Sequence, residues 1–299
     1  MPVTTTSPTW THAPVRVGLV GAGPWARAVH ARVLAAGPET RLTSVWARRP
    51  EAARETAAPH GAAVAATFEE LLDDCEAVAF SVPPSVQATL AVRAAEAGKA
   101  LLLEKPLALG LPSARRLVDA IDTSGVVSQL VLTNRYHPVT RQFLAEAREL
   151  DVSGARACCL SGAFLGGDFA TPWRLEHGAL LDLGPHLLDL LDAALGPIVR
   201  VRGAGDPRRW LELTCEHDSG AVSQASLSGS VDVERGITRI ELFGRHPELV
   251  LDGGALDHEE SWPVLRREFA TAVRSGRPGE LDAHRGLHLQ TLMAQALGD

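Results

Sequence analysis

Lysine is nearly missing from this chain. Only two of its 29 basic residues, Lys99 and Lys105, are lysines, and the rest are arginines. Arginine stays protonated at any working pH, whereas burial and neighbouring charges can bring lysine into a range useful for proton transfer. The scarcity therefore leaves Lys105, which follows the apolar run Leu101–Leu103, as the candidate proton donor. Lys99 lies in a predicted helix-to-strand turn, where no chemical role is expected.

Cysteines, long apolar runs and excess positive charge are also scarce. The four cysteines are Cys75, Cys158, Cys159 and Cys215. Their spacing fits neither a metal site nor a disulfide framework, which predicts a reducing, cytoplasmic location. No apolar run reaches the length of a membrane span. A net charge of −7 and a pI near 5.9 give no electrostatic footprint for nucleic acid or an anionic membrane. Residues 1–14 lack the features of a signal peptide and are predicted to be a disordered tail.

The 299 residues, 45% of them hydrophobic, suit a globular protein of one large or two smaller domains. From residue 15 to 134, short β-branched runs alternate with helical segments. The predicted strands are Val15–Val20, Leu42–Trp46, Ala77–Val82, Ala100–Leu103 and Val126–Thr133. The predicted helices are Pro24–Ala36, Pro50–His60, Phe68–Asp73, Ser85–Ala97 and Pro112–Ile121. This alternation predicts an α/β domain with a doubly wound parallel sheet.

The pattern changes after residue 134 and predicts a second, α+β domain over residues 135–299. Its predicted helices are Pro138–Leu150, Asp182–Leu195, Trp262–Ser275 and Asp282–Leu297. Its predicted strands are Ala155–Ser161, Val199–Arg202, Leu211–Glu216, Ala221–Ser228, Thr238–Phe243 and Leu249–Leu251, and a Gly/Pro-rich stretch covers Gly162–Pro172. The partial alternation of these strands indicates a mostly antiparallel sheet. The last helix is a candidate to pack back on the first domain.

A glycine-rich loop follows the first strand and opens a helix. Gly21 would allow the tight turn, Gly23 the close approach of backbone to a pyrophosphate, and Ala26 close helix packing. The N-terminus of the helix would add N–H donors and a positive dipole end. This context of strand, turn and helix predicts a dinucleotide-binding loop. A glycine turn in an unrelated α/β fold is the alternative.

The end of the second strand bears on the choice between NAD and NADP. NAD-binding sheets usually carry an acidic residue here to bind the ribose hydroxyls. In this chain Arg48 and Arg49 follow the strand and no carboxylate is present. Guanidinium groups can stack on adenine and bind a 2′-phosphate with paired N–H donors. The segment therefore favours NADP, with NAD as the alternative cofactor and a solvated arginine pair as the structural alternative.

Two strand ends supply candidate residues for the reaction site. Glu104, Lys105 and Pro106 end one apolar strand, and Ser81 and Pro83 follow another. The carboxyl ends of strands in an open parallel sheet line the ligand crevice. Pro106 favours an extended residue before it, which fixes the direction of Lys105. We expect Ser81 and Pro83 to flank the nicotinamide.

A later helix carries polar groups at a regular spacing. Asp182, His186 and Asp189 fall at i, i+4 and i+7, with leucines on the other sides. Gly184 and Pro185 mark the first turn, so Asp182 would cap the helix and His186 would be structural in the simplest interpretation. Beside the Lys105 strand, a polar stripe that faces a cofactor cleft is the better interpretation.

Taken together, these motifs resemble the glucose–fructose oxidoreductase/inositol dehydrogenase/MocA-like (Gfo/Idh/MocA) family over nearly the whole chain. The matching segments are Gly21-Ala22-Gly23, Pro83-Pro84, residues 96–99, Glu104-Lys105-Pro106, residues 134–138, Trp173-Arg174, residues 178–186, residues 269–276 and the last helix. Each match alone is weak, and their order and spacing are specific.

The resemblance implies an N-terminal Rossmann domain and a C-terminal α+β domain with a large open-faced sheet, through which a homodimer or homotetramer would form. It implies that Lys105 is the general acid/base at a carbinol or carbonyl oxygen, with Asp182 and His186 beside it. The sequence departs from the family in two places. Gln87 stands where a histidine is common, and the glycine run before Asp182 is reduced to Gly178.

The sequence thus predicts an NADP-dependent oxidoreductase that moves a hydride between nicotinamide and a sugar, nucleotide-linked sugar, cyclitol or similar carbonyl or polyol. The predicted catalytic residues are Lys105, Asp182 and His186. The predicted cofactor contacts are Gly21, Gly23, Pro24, Trp25, Ala26, Arg48, Arg49, Ser81, Pro83, Gln87, Glu104, Lys105, Trp173 and Arg174. Scattered histidines give no metal spacing. A catalytically silent dinucleotide-binding regulator or scaffold and an imine- or biliverdin-type reductase are the alternatives.

Overall fold

The computed structural model describes residues 10–298, and its first half is built on a parallel sheet. The strands are β1 Val15–Val20, β2 Thr40–Trp46, β3 Ala63–Val64, β4 Ala77–Phe80, β5 Ala100–Glu104 and β6 Ser128–Val131. They lie in the order β3-β2-β1-β4-β5-β6, and every neighbouring pair is parallel. This confirms the predicted doubly wound sheet. β3 was not predicted because two exposed residues carry no periodic pattern.

Helices cover both faces of this sheet, which explains why strands such as β4 are buried throughout. The first helical segment begins as a π-helix, Ala26–Ala31, and continues as α1 Arg32–Ala35. The others are α2 Pro50–Ala57, α3 Phe68–Asp74, α4 Pro84–Glu96 and α5 Leu111–Ser124. Thr67 caps α3 by accepting a hydrogen bond from the backbone N–H of Glu70 at 3.1 Å. A threonine directly before a helix that starts with acidic residues, here Glu69 and Glu70, is typical of such a cap.

The second half is a mixed sheet with helices on one face. Its strands are β7 Val152–Leu160, β8 Ile198–Asp206, β9 Trp210–His217, β10 Val222–Ser228, β11 Ile237–Gly244 and β12 Leu249–Asp252. Its helices are α6 Pro138–Arg148, α7 Pro172–His177, α8 Ala179–Asp182, α9 Gly184–Leu195, α10 Ser261–Ser275 and α11 Ala283–Leu297. The strand order is β12-β11-β7-β10-β9-β8, and only β7 and β10 run parallel. The predicted mostly antiparallel sheet is confirmed.

The helix predicted from Asp182 starts two residues later than expected. It is α9, from Gly184 to Leu195, and the short helix α8, which ends at Asp182, was not predicted. Pro185 lacks the N–H that would continue the ladder, so a new helix starts there. The short helix α7 forms from Pro172, at the end of the predicted Gly/Pro-rich loop. These two interruptions place Asp182 at a helix junction.

The two sheets are connected by the C-terminal helices. α11 packs against α5 and β6 as well as against α9 and β8. The backbone N–H of Leu130 also donates to the carbonyl of Leu281 at 2.7 Å.

The domain boundary at residue 134 stays a prediction. Of the predicted tail, residues 1–9 lie outside the described range, and Arg274 donates to the carbonyls of Ala13 and Pro14. Between residues 10 and 298, no helix is both long and apolar enough to cross a membrane.

Candidate active site

The glycine loop after β1 has the backbone that a dinucleotide requires. Gly21 has φ +120°, and a Cβ there would lie 2.2 Å from the carbonyl oxygen of Ser81. No other residue type fits this combination of conformation and contact. A Cβ on Gly23 would meet no atom of residues 10–298 within 4 Å, so packing within this described range does not require glycine there. The free space at Gly23 fits the close approach of a pyrophosphate to the backbone.

The residues after this loop fix the start of the first helix. Ala26 is fully buried, which permits close packing of the helix on the sheet. Pro24 and Trp25 are already helical and directly precede the π-helical segment. The indole Nε1 of Trp25 donates to Glu104 Oε1 at 2.8 Å. Trp25 is thus directed at the end of β5, a contact that the sequence did not predict.

Arg48 and Arg49 are exposed at the end of β2. Within residues 10–298, neither guanidinium forms an ion pair, and Arg49 is the N-cap residue of α2. Ser81 and Pro83 lie beyond β4, on the other side of Gly21. The loop at Gly21 is therefore flanked by two cationic side chains at one strand end and by an apolar turn at the other.

Lys105 lies at the centre of the polar cluster between the two halves of the chain. Its Nζ donates to Asp182 Oδ1 at 2.9 Å and to the Asp182 carbonyl at 2.7 Å. Arg174 Nε lies 3.1 Å from the same carboxylate oxygen, in poor hydrogen-bond alignment. The side chains of Lys105 and Asp182 are only 13% and 7% exposed. The break between α8 and α9 therefore places an acidic side chain against the strand-end lysine. Asp182 does not cap α9.

Two side chains near Lys105, the acidic Asp182 and the basic His186, have shifted pKa values. Burial raises the pKa of Asp182, but the charges of Lys105 and Arg174 outweigh it and leave the pKa at about 2. Burial and the charge of Lys105 lower the pKa of His186 to about 3. In the described part of the chain, His186 Nδ1 is buried and has no hydrogen-bond partner. His186 is therefore a neutral imidazole with an unused ring nitrogen beside Lys105 and Asp182.

Gln87 binds the backbone on both sides of Lys105. It is fully buried, and its Nε2 donates to the carbonyls of Glu104, Pro106 and Leu107 at 2.7–3.3 Å. Its Oε1 accepts from the N–H of Glu104 at 2.9 Å. The amide thus holds the Lys105 loop, and the cofactor contact of Gln87 stays a prediction. The peptide bond between Lys105 and Pro106 is cis.

Trp173 and Arg174, on α7, lie on the C-terminal side of the cluster. The Arg174 guanidinium stacks over the rings of Trp173 and Phe169 at 4.9 and 5.8 Å. Its position beside Asp182 indicates a role in the charge balance of Lys105. Asp189, the third residue of the predicted polar stripe, lies away from the cluster and binds Arg135 and Arg285. The stripe therefore divides, with Asp182 and His186 at the site and Asp189 in a buried ion-pair network.

His30 is the residue near the site that the sequence analysis missed. It is 4% exposed, and its Nε2 lies 2.7 Å from Glu104 Oε1. A histidine on the apolar side of a helix gives no signal of its partner in the sequence. Among residues 10–298, no three His, Cys, Asp or Glu side chains are arranged to hold a metal ion.

The fold is an α/β protein with a glycine loop after its first strand and a cluster of ionisable side chains, Lys105, Asp182 and Arg174, at the carboxyl edge of its parallel sheet. Residues 15–131 match the model of the Gfo/Idh/MocA family, described as an oxidoreductase family with an NAD-binding Rossmann fold. This segment of the chain is therefore similar to the NAD-binding domain of that family.

Curated relatives match part of their length. The chain is 34% identical over 199 residues to a dTDP-3,4-didehydro-2,6-dideoxy-alpha-D-glucose 3-reductase of Streptomyces violaceoruber, covering 64% of this chain and 57% of that protein. It is 28% identical over 200 residues to a D-glucoside 3-dehydrogenase of Escherichia coli strain K12, covering 62% and 55%. The chain thus spans less than two thirds of the length of these two relatives.

A solved structure matches the whole chain. GenD2 from gentamicin A biosynthesis, in complex with NAD, has a TM-score of 0.86 and 25% sequence identity. The superposition covers 98% of this chain and 96% of that one. The arrangement of the two sheets and the helices between them is therefore that of a known structure.

Proposed function

We propose that this protein is an NADP-dependent oxidoreductase that interconverts a carbonyl and a secondary alcohol on a sugar or nucleotide-linked sugar. The observation that carries the proposal is the Lys105 ammonium, held 2.9 Å from Asp182 at the strand edge that also carries the glycine loop. A proton donor and a dinucleotide-binding loop at one edge of a sheet are the two components that carbonyl reduction needs.

When bound, the nicotinamide supplies or accepts the hydride. In the reductive direction, Lys105 Nζ gives a proton to the substrate oxygen as the carbon gains the hydride, and C=O becomes CH–OH. Asp182 orients Nζ and compensates its charge. His186, neutral because its pKa is about 3, binds the same oxygen or a neighbouring hydroxyl through a ring nitrogen. Solvent then returns a proton to Lys105, and oxidation follows the same steps in reverse.

The substrate is proposed to react at a ring carbon bearing a secondary hydroxyl. Two relatives are named for redox chemistry at position 3 of a glucose-derived ring, one on a dTDP-linked sugar and one on a glucoside. Carbon 3 of a hexose is therefore the favoured reacting position, and a cyclitol is the next candidate. We also propose that the protein works in the cytoplasm as a homodimer or homotetramer.

NADP is the proposed cofactor because of the residues that follow β2. Arg48 and Arg49 are exposed there, and the strand end itself, Val45-Trp46-Ala47, carries no acidic residue to bind ribose hydroxyls. A free guanidinium pair suits a 2′-phosphate and is poorly used by NAD. NAD, the dinucleotide bound by GenD2, remains the alternative.

Lys105→Met tests the assignment of the proton donor. NADPH and NADH oxidation would first be screened against keto-sugars, inosose and cyclic imines. On the best carbonyl substrate, loss of the ammonium should lower kcat by ~10²–10⁴ while NADPH binding persists. Lys99→Met is the matched control, since Lys99 Nζ only donates to the Cys75 carbonyl at 3.0 Å, away from the site.

Turnover by Lys105→Met at the wild-type rate, with an unchanged pH profile, would remove the assignment. NADPH binding without turnover of any carbonyl would favour the silent regulator. Turnover of cyclic imines alone would favour the imine-reductase alternative, since the fold does not separate these activities.

A further inference from the structure

The buried carboxylate of Glu104 connects the dinucleotide loop to the reaction strand. Its Oε1 accepts a hydrogen bond from Trp25 Nε1 at 2.8 Å and lies 2.7 Å from His30 Nε2. Trp25 lies two residues after Gly23, at the start of the first helical segment, and His30 lies on the π-helical part of that segment. The next residue along β5 is Lys105, whose backbone N–H lies 3.3 Å from Glu104 Oε2. One carboxylate therefore contacts all three.

An ionised carboxylate in this position needs its partners. Glu104 is 13% exposed in its side chain, and an unpaired buried charge is strongly unfavourable. Burial raises the pKa of Glu104, but the hydrogen bond and charge of His30, with the charge of Lys105, bring it below its ordinary value. His30 is itself 4% exposed. Most of the surface of both side chains is therefore removed from solvent.

We propose that His30 is a positioning residue. Through its contact with Glu104, it fixes the position of the dinucleotide loop relative to Lys105. Gln87 binds both backbone groups of Glu104: its side-chain amide accepts from the N–H and donates to the carbonyl. The carboxylate is the part of Glu104 that remains to be fixed, and His30 and Trp25 fix it. Movement of the loop at Gly23 is thereby transmitted to the residue before Lys105. The inference rests on the proposed role of Lys105 as the proton donor.

Replacing His30 with leucine or glutamine tests this connection in the full-length protein. His30→Leu keeps the volume but removes one of the two ring N–H partners of Glu104 Oε1 and leaves only Trp25. We therefore expect kcat to fall roughly 10–100-fold, with the carbonyl KM changed less than about threefold. NADPH binding, followed by its fluorescence, should weaken several-fold. His30→Gln keeps an N–H donor at similar reach and should restore most of both values. Trp25→Phe, which keeps a ring and loses only the N–H, should show a smaller loss of the same kind.

A surface pair provides the control. His284 Nε2 lies 2.9 Å from Asp122 Oδ1 with both side chains more than half exposed, and His284→Leu should leave kcat and NADPH binding unchanged. All assays are run well below each variant's thermal midpoint. Wild-type kcat and NADPH affinity in His30→Leu would overturn the proposal. Equal losses in His30→Leu and His30→Gln that follow the fall in thermal midpoint would also overturn it, because they indicate a structural role alone.

The two proposals fail in different ways. If Lys105→Met turns over normally, the proton-donor assignment fails whatever the His30 variants do. If Lys105→Met is inactive and His30→Leu is normal, only the positioning role fails. If no carbonyl is turned over by the wild type, the NADPH affinities decide: weakening in His30→Leu that His30→Gln restores supports the connection, and unchanged affinity rejects it.

Discussion

The two lysines of this chain differ in what their ammonium groups contact. Lys99 Nζ donates to the carbonyl of Cys75 and fastens the turn before β5 to the end of α3. Lys105 Nζ contacts a buried carboxylate, Asp182, that a different part of the chain supplies. Their rarity singled out both in the sequence, and the strand-end position favoured Lys105. The partner of Lys105 was expected from a family resemblance, and its geometry came from the structure.

The proposed preference for NADP depends on individual side chains at the end of β2. Arg48→Ala and Arg49→Ala remove cations that would face a 2′-phosphate, so at least one should raise the Kd for NADPH roughly tenfold and leave the Kd for NADH nearly unchanged. Fluorescence titration with both dinucleotides measures the ratio. Arg54→Ala, on the exposed side of α2 in a pair with Glu51, is the control. Equal effects on both dinucleotides would argue against NADP.

At the scale of elements, helix α9 is held by ion pairs that are hidden from solvent. Asp189 accepts from Arg135 at 3.0 and 3.1 Å and from Arg285 at 2.6 Å, and Arg285 also pairs with Asp192. Arg135 follows β6, and Arg285 lies on α11. These contacts tie α9, which carries His186, to elements from both halves of the chain.

Asp189→Asn should therefore be costly. Two buried guanidinium groups lose their shared carboxylate, and the free energy of unfolding should fall by about 3 kcal/mol, the range measured when one partner of a buried pair is removed. Urea denaturation measures the change. Glu216→Gln breaks an exposed pair with Arg200 and should change stability by less than about 0.5 kcal/mol. If both variants changed the free energy of unfolding by similarly small amounts, the buried ion pairs of Asp189 would not stabilise the protein as proposed.

Periodicity predicted most elements because each strand or helix carries its own apolar pattern. β1 begins and ends at the predicted residues, and α10 and α11 differ by one residue at the start. β3 and α7 were missed because they are short and have few buried positions. The break between α8 and α9 depends on the missing N–H of Pro185. That break sets the direction of Asp182.

At the scale of the whole molecule, buried His186 makes stability depend on pH. The pKa of His186 is about 3 in the folded chain, whereas its ordinary value is 6.5. Between these two pH values the unfolded chain therefore binds a proton at His186 and the folded chain does not. Its stabilising contribution is complete above pH 6.5 and declines as the pH falls towards 3. At pH 5 the loss is about 2 kcal/mol, at 1.36 kcal/mol per pH unit.

His186→Gln should remove that dependence. Between pH 7 and pH 5 the variant should lose about 2 kcal/mol less unfolding free energy than the wild type. Urea titrations at the two pH values measure the difference. The exposed His284→Gln should lose as much stability as the wild type. An equal loss in His186→Gln would show that His186 is not protected from protonation.

The outer face of the C-terminal sheet, opposite its helices, is the proposed contact between subunits. Five large apolar side chains are exposed on these strands: Val199, Trp210, Val222, Ile237 and Phe243. Exposed apolar patches commonly mark association sites. Trp210→Glu or Phe243→Glu should shift the protein towards monomer in sedimentation velocity, while Leu297→Glu, exposed at the end of α11, should not. A monomeric wild type would reject the proposal.

The sequence by itself determined the glycine loop, the order of strands and helices and the isolation of Lys105, because each depends on neighbouring residues in the chain. Only the tertiary structure decided that Asp182 faces Lys105, that Gln87 binds backbone, and that His30 meets Glu104 across 74 positions. Those pairings join residues far apart in sequence. Burial makes each of these polar groups costly to leave unpaired, and no local sequence pattern records which partner it finds.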